Sequence, residues 1–267
     1  MQKKLMYYPI LDMTRPKAQA FKQQIESWIY DTFITDDEQR ASAYLVGWWD
    51  GFMLDIIKKN YNFACSPEQN KIFFWINCGT LWFLLNDYNE VGILPTYLDD
   101  LVTIHAPLMK VEILKQDNQR EIKYALNDVV IGGNLLDYFK FDVASSQIHK
   151  RFHGTGVLVA TALGSSAYRL NTWYPIMPAG SALRWIGGLA SLPFGYNIIK
   201  PDTITIHIKW RSPAMVGVDG YAGKVENVKE ITMLPTSHYA TIGFTKDTSF
   251  DTKRMLLAEQ KLLREDF

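Results

Sequence analysis

Charge of one sign, cysteine and long apolar runs are what this chain has little of. Of its 267 residues only two are cysteines, Cys65 and Cys78. Two are too few for a disulfide framework, which excludes a small stapled scaffold and makes a reduced compartment the default. No run approaches the ~20 apolar residues of a membrane span. The first residues, Met1 to Pro9, hold too short an apolar stretch for a signal peptide. Lys+Arg and Asp+Glu balance at 28 each, so no charge excess argues for nucleic acid or an anionic membrane surface. Internal repeats and low-complexity stretches are missing too. These absences predict a soluble, cytoplasmic protein whose partners are neither nucleic acid nor membrane.

What is present is core material. Almost half the residues are apolar, 13% are aromatic and eight are tryptophans, enough for one large domain or two modest ones. Lys4 to Ile10 reads as a strand ended by Pro9. Pro16 to Thr32 carries helix-spaced Ala20, Phe21, Ile25, Trp28 and Ile29, with Thr14 at the expected N-cap. Ala43 to Val46 is a second strand, Phe52 to Asn60 a second helix, and Ile72 to Ile76 an apolar run suited to a strand buried on both faces. This alternation predicts an α/β layer with parallel strands over residues 1–97.

After Pro95 the texture becomes short strands: Ala106 to Leu114, Glu121 to Leu126, Val129 to Gly132, Lys140 to Ser145, Val157 to Thr161, Thr203 to Trp210, Met215 to Asp219 and Val225 to Met233. They predict an all-β sandwich over 98–249. From Asp251 the pattern is helical again, and residues 250–267 are expected to pack back on the first domain.

The most informative stretch is Gly154 to Pro175. A β-rich run, Gly156 to Ala160, enters the small-residue turn Gly164-Ser165-Ser166-Ala167-Tyr168. Small residues admit a ligand close to the backbone, and hydroxyls offer hydrogen bonds without bulk. Three further segments stand in order before it: Gly47 to Leu54 with Asp50-Gly51 at its centre, Ile76 to Leu84 with Asn77 and Gly79, and Ala125-Leu126-Asn127-Asp128-Val129-Val130. Val216-Gly217-Val218-Asp219-Gly220 adds a shorter Asp-Gly match. In order and spacing the set resembles the nucleotide-binding motifs of the NAD kinase family.

That resemblance implies an α/β N-terminal domain, a β-sandwich C-terminal domain and a C-terminal helix returning to the first. It implies transfer of the ATP γ-phosphoryl to the 2′-hydroxyl of the adenosine ribose of NAD, giving NADP with Mg²⁺ or another divalent cation. Carried over, Asp50 is the base that takes the hydroxyl proton, with Gly51 beside it. Asn127 and Asp128 hold ribose hydroxyls. Ser166, Ala167, Tyr168 and Asn171 line the dinucleotide pocket, Phe83 its apolar wall. Asp219 is a further acidic contact, and Thr155 stands where the family has an Asp at the nicotinamide end. A homo-oligomer, dimer or tetramer, is implied as well, with the aromatic-rich segment Trp173 to Leu192 offering surface. Phosphoryl transfer needs mainly positioning, charge neutralisation and a nearby base, which these residue types supply.

The chain also departs from the pattern. Trp48, Trp49 and Trp82 stand at family glycines, Phe52 and Leu163 at threonines, and Trp173-Tyr174 at a glycine pair. Two readings stay open: the aromatics fill the site, each Trp burying on the order of 200 Å², or they line a remodelled cleft and stack on a base, a contact worth roughly 1–3 kcal/mol. Plainer readings stand beside these. Asp50 also suits a helix cap, and Asn127-Asp128 and Gly164 to Ser166 also suit ordinary turns. His149 and His153 are spaced as two helical zinc ligands, but lack a third and read as solvated side chains.

Overall fold

The alternation of strand and helix near the N-terminus and the strand-only texture after it become two compact units. Unit 1 is Met1–His105 with Ala240–Phe267, and unit 2 is Ala106–Tyr239. The structure is a computed structural model and describes residues 3–11, 13–14, 16–28, 33–48, 50–77, 86–87, 94–133, 137–166, 176–209, 213–220 and 223–246. Among these no helix is long and apolar enough to cross a membrane.

In unit 1, β1 (Tyr7–Leu11), α1 (Pro16–Trp28), β2 (Ala43–Trp48), α2 (Asp50–Asn60), β3 (Ile72–Asn77) and β4 (Asn86–Asp87) follow one another. The strands pair in parallel, β1 with β2, β2 with β3 and β3 with β4. Strand β1 runs through Pro9 to Leu11 instead of ending there. It lies at the sheet edge, where a residue without an N–H breaks no ladder. Pro16 opens α1, where its missing N–H costs nothing. Ala18, Phe21 and Ile25 of α1 pack on Tyr7, Ala43, Leu45, Phe74 and Ile76. On the alternate strand positions Tyr44 stacks on Phe73 and Phe73 on Trp75, at 5.3 and 6.1 Å between centroids, so these strands are buried on both faces as parallel strands are.

Unit 2 is built from β5 (Leu101–Lys115), β6 (Arg120–Ala125), β7 (Asp128–Gly132), β8 (Phe139–Ala144), β9 (His149–Gly154), β10 (Gly156–Thr161), β11 (Arg184–Leu189), β12 (Tyr196–Ile199), β13 (Ile204–Lys209), β14 (Ala214–Val218) and β15 (Val225–Thr245). One run of neighbours is β6-β5-β15-β13-β8-β9, the other β14-β7-β10-β11-β12. Strand β15 pairs first with β14 and then with β13, and a register shift with Asn227 at φ 58° marks the switch. Inward residues of both runs, among them Val111, Val129, Phe141, Val159, Ile186, Ile206 and Ile231, form one core. The last residues of β15, from Ala240, belong to unit 1, where Ile242 and Gly243 pair in parallel with Phe73 and Phe74 of β3 and Asn86 donates to the carbonyls of Trp75 and Gly243.

Three strands of unit 2 escape the sequence reading, β9, β11 and β12, as does the two-residue β4 of unit 1. His149 and His153 lie at the two ends of β9, four residues and about 13 Å apart, so they are no helical pair. The sequence predicts a helix after residue 250; that segment lies outside the described residues, as do Ile29 to Thr32.

Candidate functional site

Two corners and one turn meet at one end of the β unit. The chain leaves β6 and enters β7 through Leu126 and Asn127. It leaves β14 through Asp219, whose φ of 53° turns the backbone into the left-handed region that Asp tolerates better than most residues. The carboxylate of Asp219 accepts the backbone N–H groups of Leu126, Asn127 and Asp128 at 2.9, 2.6 and 3.0 Å. In return the Asp219 N–H donates to the Asp128 carbonyl at 2.8 Å. The expected acidic ligand contact is therefore committed to holding the corner that carries Asn127 and Asp128.

Strand β10 closes the arrangement. All six of its residues are buried: Val157 and Val159 face the sandwich core, while Leu158 and Ala160 pack with Ala162, Met177 and Trp185 on the other side. Its last residue, Thr161, donates its hydroxyl to the Leu126 carbonyl at 2.5 Å and its N–H to the Asn127 carbonyl at 2.8 Å. The Gly164 N–H in turn donates to the Thr161 hydroxyl at 3.1 Å. A Cβ on Gly164 would lie 2.0 Å from the Asn127 carbonyl oxygen, so only glycine lets this turn seat on the corner. Leu163 to Ser166 forms a single 3-10 turn with every residue buried. The Ser165 hydroxyl accepts the Met177 N–H at 2.9 Å and donates to the Ala162 carbonyl at 2.6 Å. The Ser166 hydroxyl donates to the Leu163 carbonyl at 3.3 Å.

The structure thus gathers Asn127, Asp128 and Asp219 into one corner, and the Gly164–Ser166 turn seats on it through Gly164. Asn127 and Asp128 are 6% and 4% exposed. Among the described residues the buried Asn127 Oδ1 has no hydrogen-bond partner. Such an atom costs free energy unless a donor reaches its lone pairs. Thr161 was not singled out from sequence; a threonine closing a buried strand at a turn was its only signal.

Thr155 is not part of the cluster. It precedes β10, and Ser166 follows it, so the six-residue strand puts about 20 Å between Thr155 and Thr161. The Thr155 hydroxyl donates to the Leu189 carbonyl at 3.1 Å. In unit 1, Asp50 and Gly51 open α2 one residue beyond β2, at the carboxyl edge of the parallel strands, where the register aligns Trp48 with Asn77 and Asn77 with Asp87. The start of a helix at the carboxyl edge of a parallel sheet is the usual place for anionic ligands in open α/β folds. Phe83, Ala167, Tyr168 and Asn171 lie outside the described residues, as do Trp49, Trp82, Trp173 and Tyr174. Leu163 is described, and its buried side chain occupies the turn interior.

Comparison with known proteins places this geometry. No family model matches the chain. It is 26% identical to the NAD kinase of Rickettsia prowazekii over 236 residues, 86% of this chain and 87% of that protein. With the NAD kinase of Rickettsia canadensis it is 32% identical over 145 residues, and there the match spans about half of each protein, 54%. The solved structure of yeast NADH kinase complexed with NADH superposes on the whole of this chain and 91% of that chain, with a TM-score of 0.75 at 18% identity. The chain is similar to curated NAD kinases over most of its length. A second solved structure, the NAD kinase of Archaeoglobus fulgidus in complex with ATP, covers 93% of this chain and 99% of that one, with a TM-score of 0.67 and 15% identity. The likeness to the two solved structures carries the fold, an α/β unit and a β-sandwich.

Proposed function

We propose that this protein is an ATP-dependent NAD kinase-like phosphotransferase that phosphorylates the adenosine ribose 2′-hydroxyl of NAD to give NADP. The observation that carries the reading is the clasped cluster in unit 2, with the buried, unpartnered Asn127 Oδ1 at its centre. Asn127 and Asp128 receive ribose hydroxyls as donors. Ser166 borders them, and Ala167, Tyr168, Asn171 and Phe83 continue the pocket by the family pattern. Thr161, Gly164 and Asp219 position the corner. A ribose hydroxyl is a donor at the scale of one hydrogen bond, which suits a single orphaned amide oxygen.

Asp50 is the base of this reading: it takes the proton of the attacking hydroxyl, and the Gly51 N–H lies at the same helix start. The described residues hold no group of three or more His, Cys, Asp or Glu side chains that would cage a metal. Mg²⁺ enters in this reading with the substrate MgATP, held chiefly by the phosphates. The tryptophans at family glycines line the nucleotide site in this reading and stack on a base.

NAD, ATP and Mg²⁺ incubated with the full chain are expected to yield NADP, detected with a dehydrogenase specific for NADP. Asp50→Asn is expected to abolish turnover while calorimetric binding of NAD persists. No NADP from the parent chain would overturn the enzymatic reading, and calorimetric binding without turnover would leave a nucleotide-binding protein.

A homo-oligomer and a cytoplasmic location belong to the same proposal. The surface for a second copy is the edge strand β12 and the chain entering it, where Leu192, Phe194, Tyr196 and Ile198 are exposed, Phe194 at 84%. Sedimentation at micromolar concentration is expected to show a dimer or tetramer, and Phe194→Ser to shift it toward monomer. A parent chain that sediments as a clean monomer removes the oligomer.

A further inference from the structure

Arg184 is a buried cation that the reading above does not use. It opens β11, it is 3% exposed, and among the described residues its guanidinium hydrogen-bonds from one terminal nitrogen to the carbonyls of Ala182 and Leu183, at 2.8 and 3.1 Å. No carboxylate among the described residues lies within ion-pair distance of it. Burial pushes its pKa down to about 10, and no acidic neighbour counters that shift. A guanidinium stays charged at neutral pH. Taking it out of water without a counter-charge costs several kcal/mol that an apolar side chain would not.

The pairing register shows where this charge sits. Arg184 is directly opposite Thr161 on β10, and Ala160 is directly opposite Asp128 on β7. Directly opposed residues project to the same face. Arg184 therefore shares its face with Thr161, whose hydroxyl holds the Leu126 carbonyl of the Asn127–Asp128 corner. Two strand spacings, about 10 Å, separate the Arg184 and Asp128 backbones, and Asp128, opposite Ala160, projects to the other face of the sheet. Its neighbours along the chain, Ala182, Leu183, Trp185 and Ile186, are apolar, so its own segment supplies no balancing acid.

We propose that Arg184 receives a phosphate oxygen of the nucleotide held by the Asn127–Ser166 cluster. This rests on the nucleotide-binding reading above. The fork of guanidinium donors matches a phosphate in a way the two main-chain carbonyls do not. Adenosine, which lacks phosphate, is recognised without it.

The test titrates NAD, ATP and adenosine separately into the full chain and into Arg184→Met and Arg184→Lys. Adenosine is expected to bind all three alike. Whichever of NAD and ATP carries the phosphate seated on Arg184 is expected to bind Arg184→Met about 10- to 100-fold more weakly, with Arg184→Lys between. Without ligand, Arg184→Met is expected to melt at or above the parent temperature, because it removes an uncompensated buried charge. Equal binding of both nucleotides by Arg184→Met and the parent overturns the proposal. So does a variant that melts well below the parent, which would make the cation a structural strut. Failure of the parent to bind NAD, ATP and adenosine would sink the nucleotide reading instead. In that case inorganic pyrophosphate that raises the melting temperature of the parent but not of Arg184→Met still supports the anion site, and its failure to do so overturns that as well.

Discussion

Asp219 shows how one side chain can hold a corner of the chain together. Three backbone N–H groups of the Leu126–Asp128 corner end on its carboxylate, and the left-handed backbone at Asp219 aims it there. Removing the acceptor leaves those donors to find water or go unpaired, at about 1–3 kcal/mol for each one that stays buried. Asp219→Ala is expected to lower stability by about 2–4 kcal/mol, read from urea unfolding, and to weaken nucleotide binding by loosening Asn127. Asp219→Asn keeps one acceptor oxygen and tolerates the same φ, so it should lose less than half as much. An Asp219→Ala chain as stable as the parent would show that the corner stands without its clasp. The Asp-Gly pair was visible in the sequence; its partners lie about 90 positions away, and nothing local announces them.

At the scale of the element, the strands of unit 2 place charge by register. Asp142 of β8 lies directly opposite Arg151 of β9 and His207 of β13, with Lys209 two residues further on. Arg151 Nε donates to its carboxylate at 2.6 Å and Lys209 forms the second ion pair. The hydrogen bond from Arg151, then that from Lys209, lowers the Asp142 pKa from 3.8 to about 2. A folded pKa below the unfolded one means that the unfolded chain binds the proton first as pH falls. The pairing therefore stabilises fully above about pH 4, and its contribution is lost as pH drops toward 2. Urea midpoints measured across that window are expected to fall with acid in the parent, and the fall to be shallower in Asp142→Asn. Equal slopes would show the pairs to be too well solvated to matter. Most strands were legible from runs of β-branched and aromatic residues. The three that were not have identifiable causes: β9 is mostly basic and exposed, β11 ends in glycines, and β12 follows a Pro-Phe-Gly turn.

At the scale of the whole molecule, each unit carries its own core. The large cluster in unit 2 uses only residues between Met109 and Met233, and the core of unit 1 described above runs from Leu5 to Leu101. The clasp of Leu126, Asn127, Asp128, Thr161, Gly164 and Asp219 lies wholly within unit 2. A fragment spanning residues 106–239 is therefore expected to unfold cooperatively by calorimetry, whereas Asp50 stays with unit 1. A fragment with no cooperative transition would show that the β unit needs the rest of the chain to fold. The candidate base and the candidate ribose contacts thus belong to different folding units, which is why a family of motifs spread along the whole chain was needed to read the activity.

Taken alone, the sequence determined the α/β and β texture, the family motifs and their order, because periodicity and turn chemistry are local properties of the chain. By family resemblance it set Asn127-Asp128, Gly164 to Ser166 and Asp219 around one nucleotide, without saying what joins them. Only the tertiary structure decided that they are one object, that Thr155 stands a strand's length away and that Arg184 is buried without an acid. The reason is that hydrogen bonds between corners, and the desolvation of a charge, depend on which strands become neighbours, and pairing across tens of residues is set by the packed core and not by any local signal.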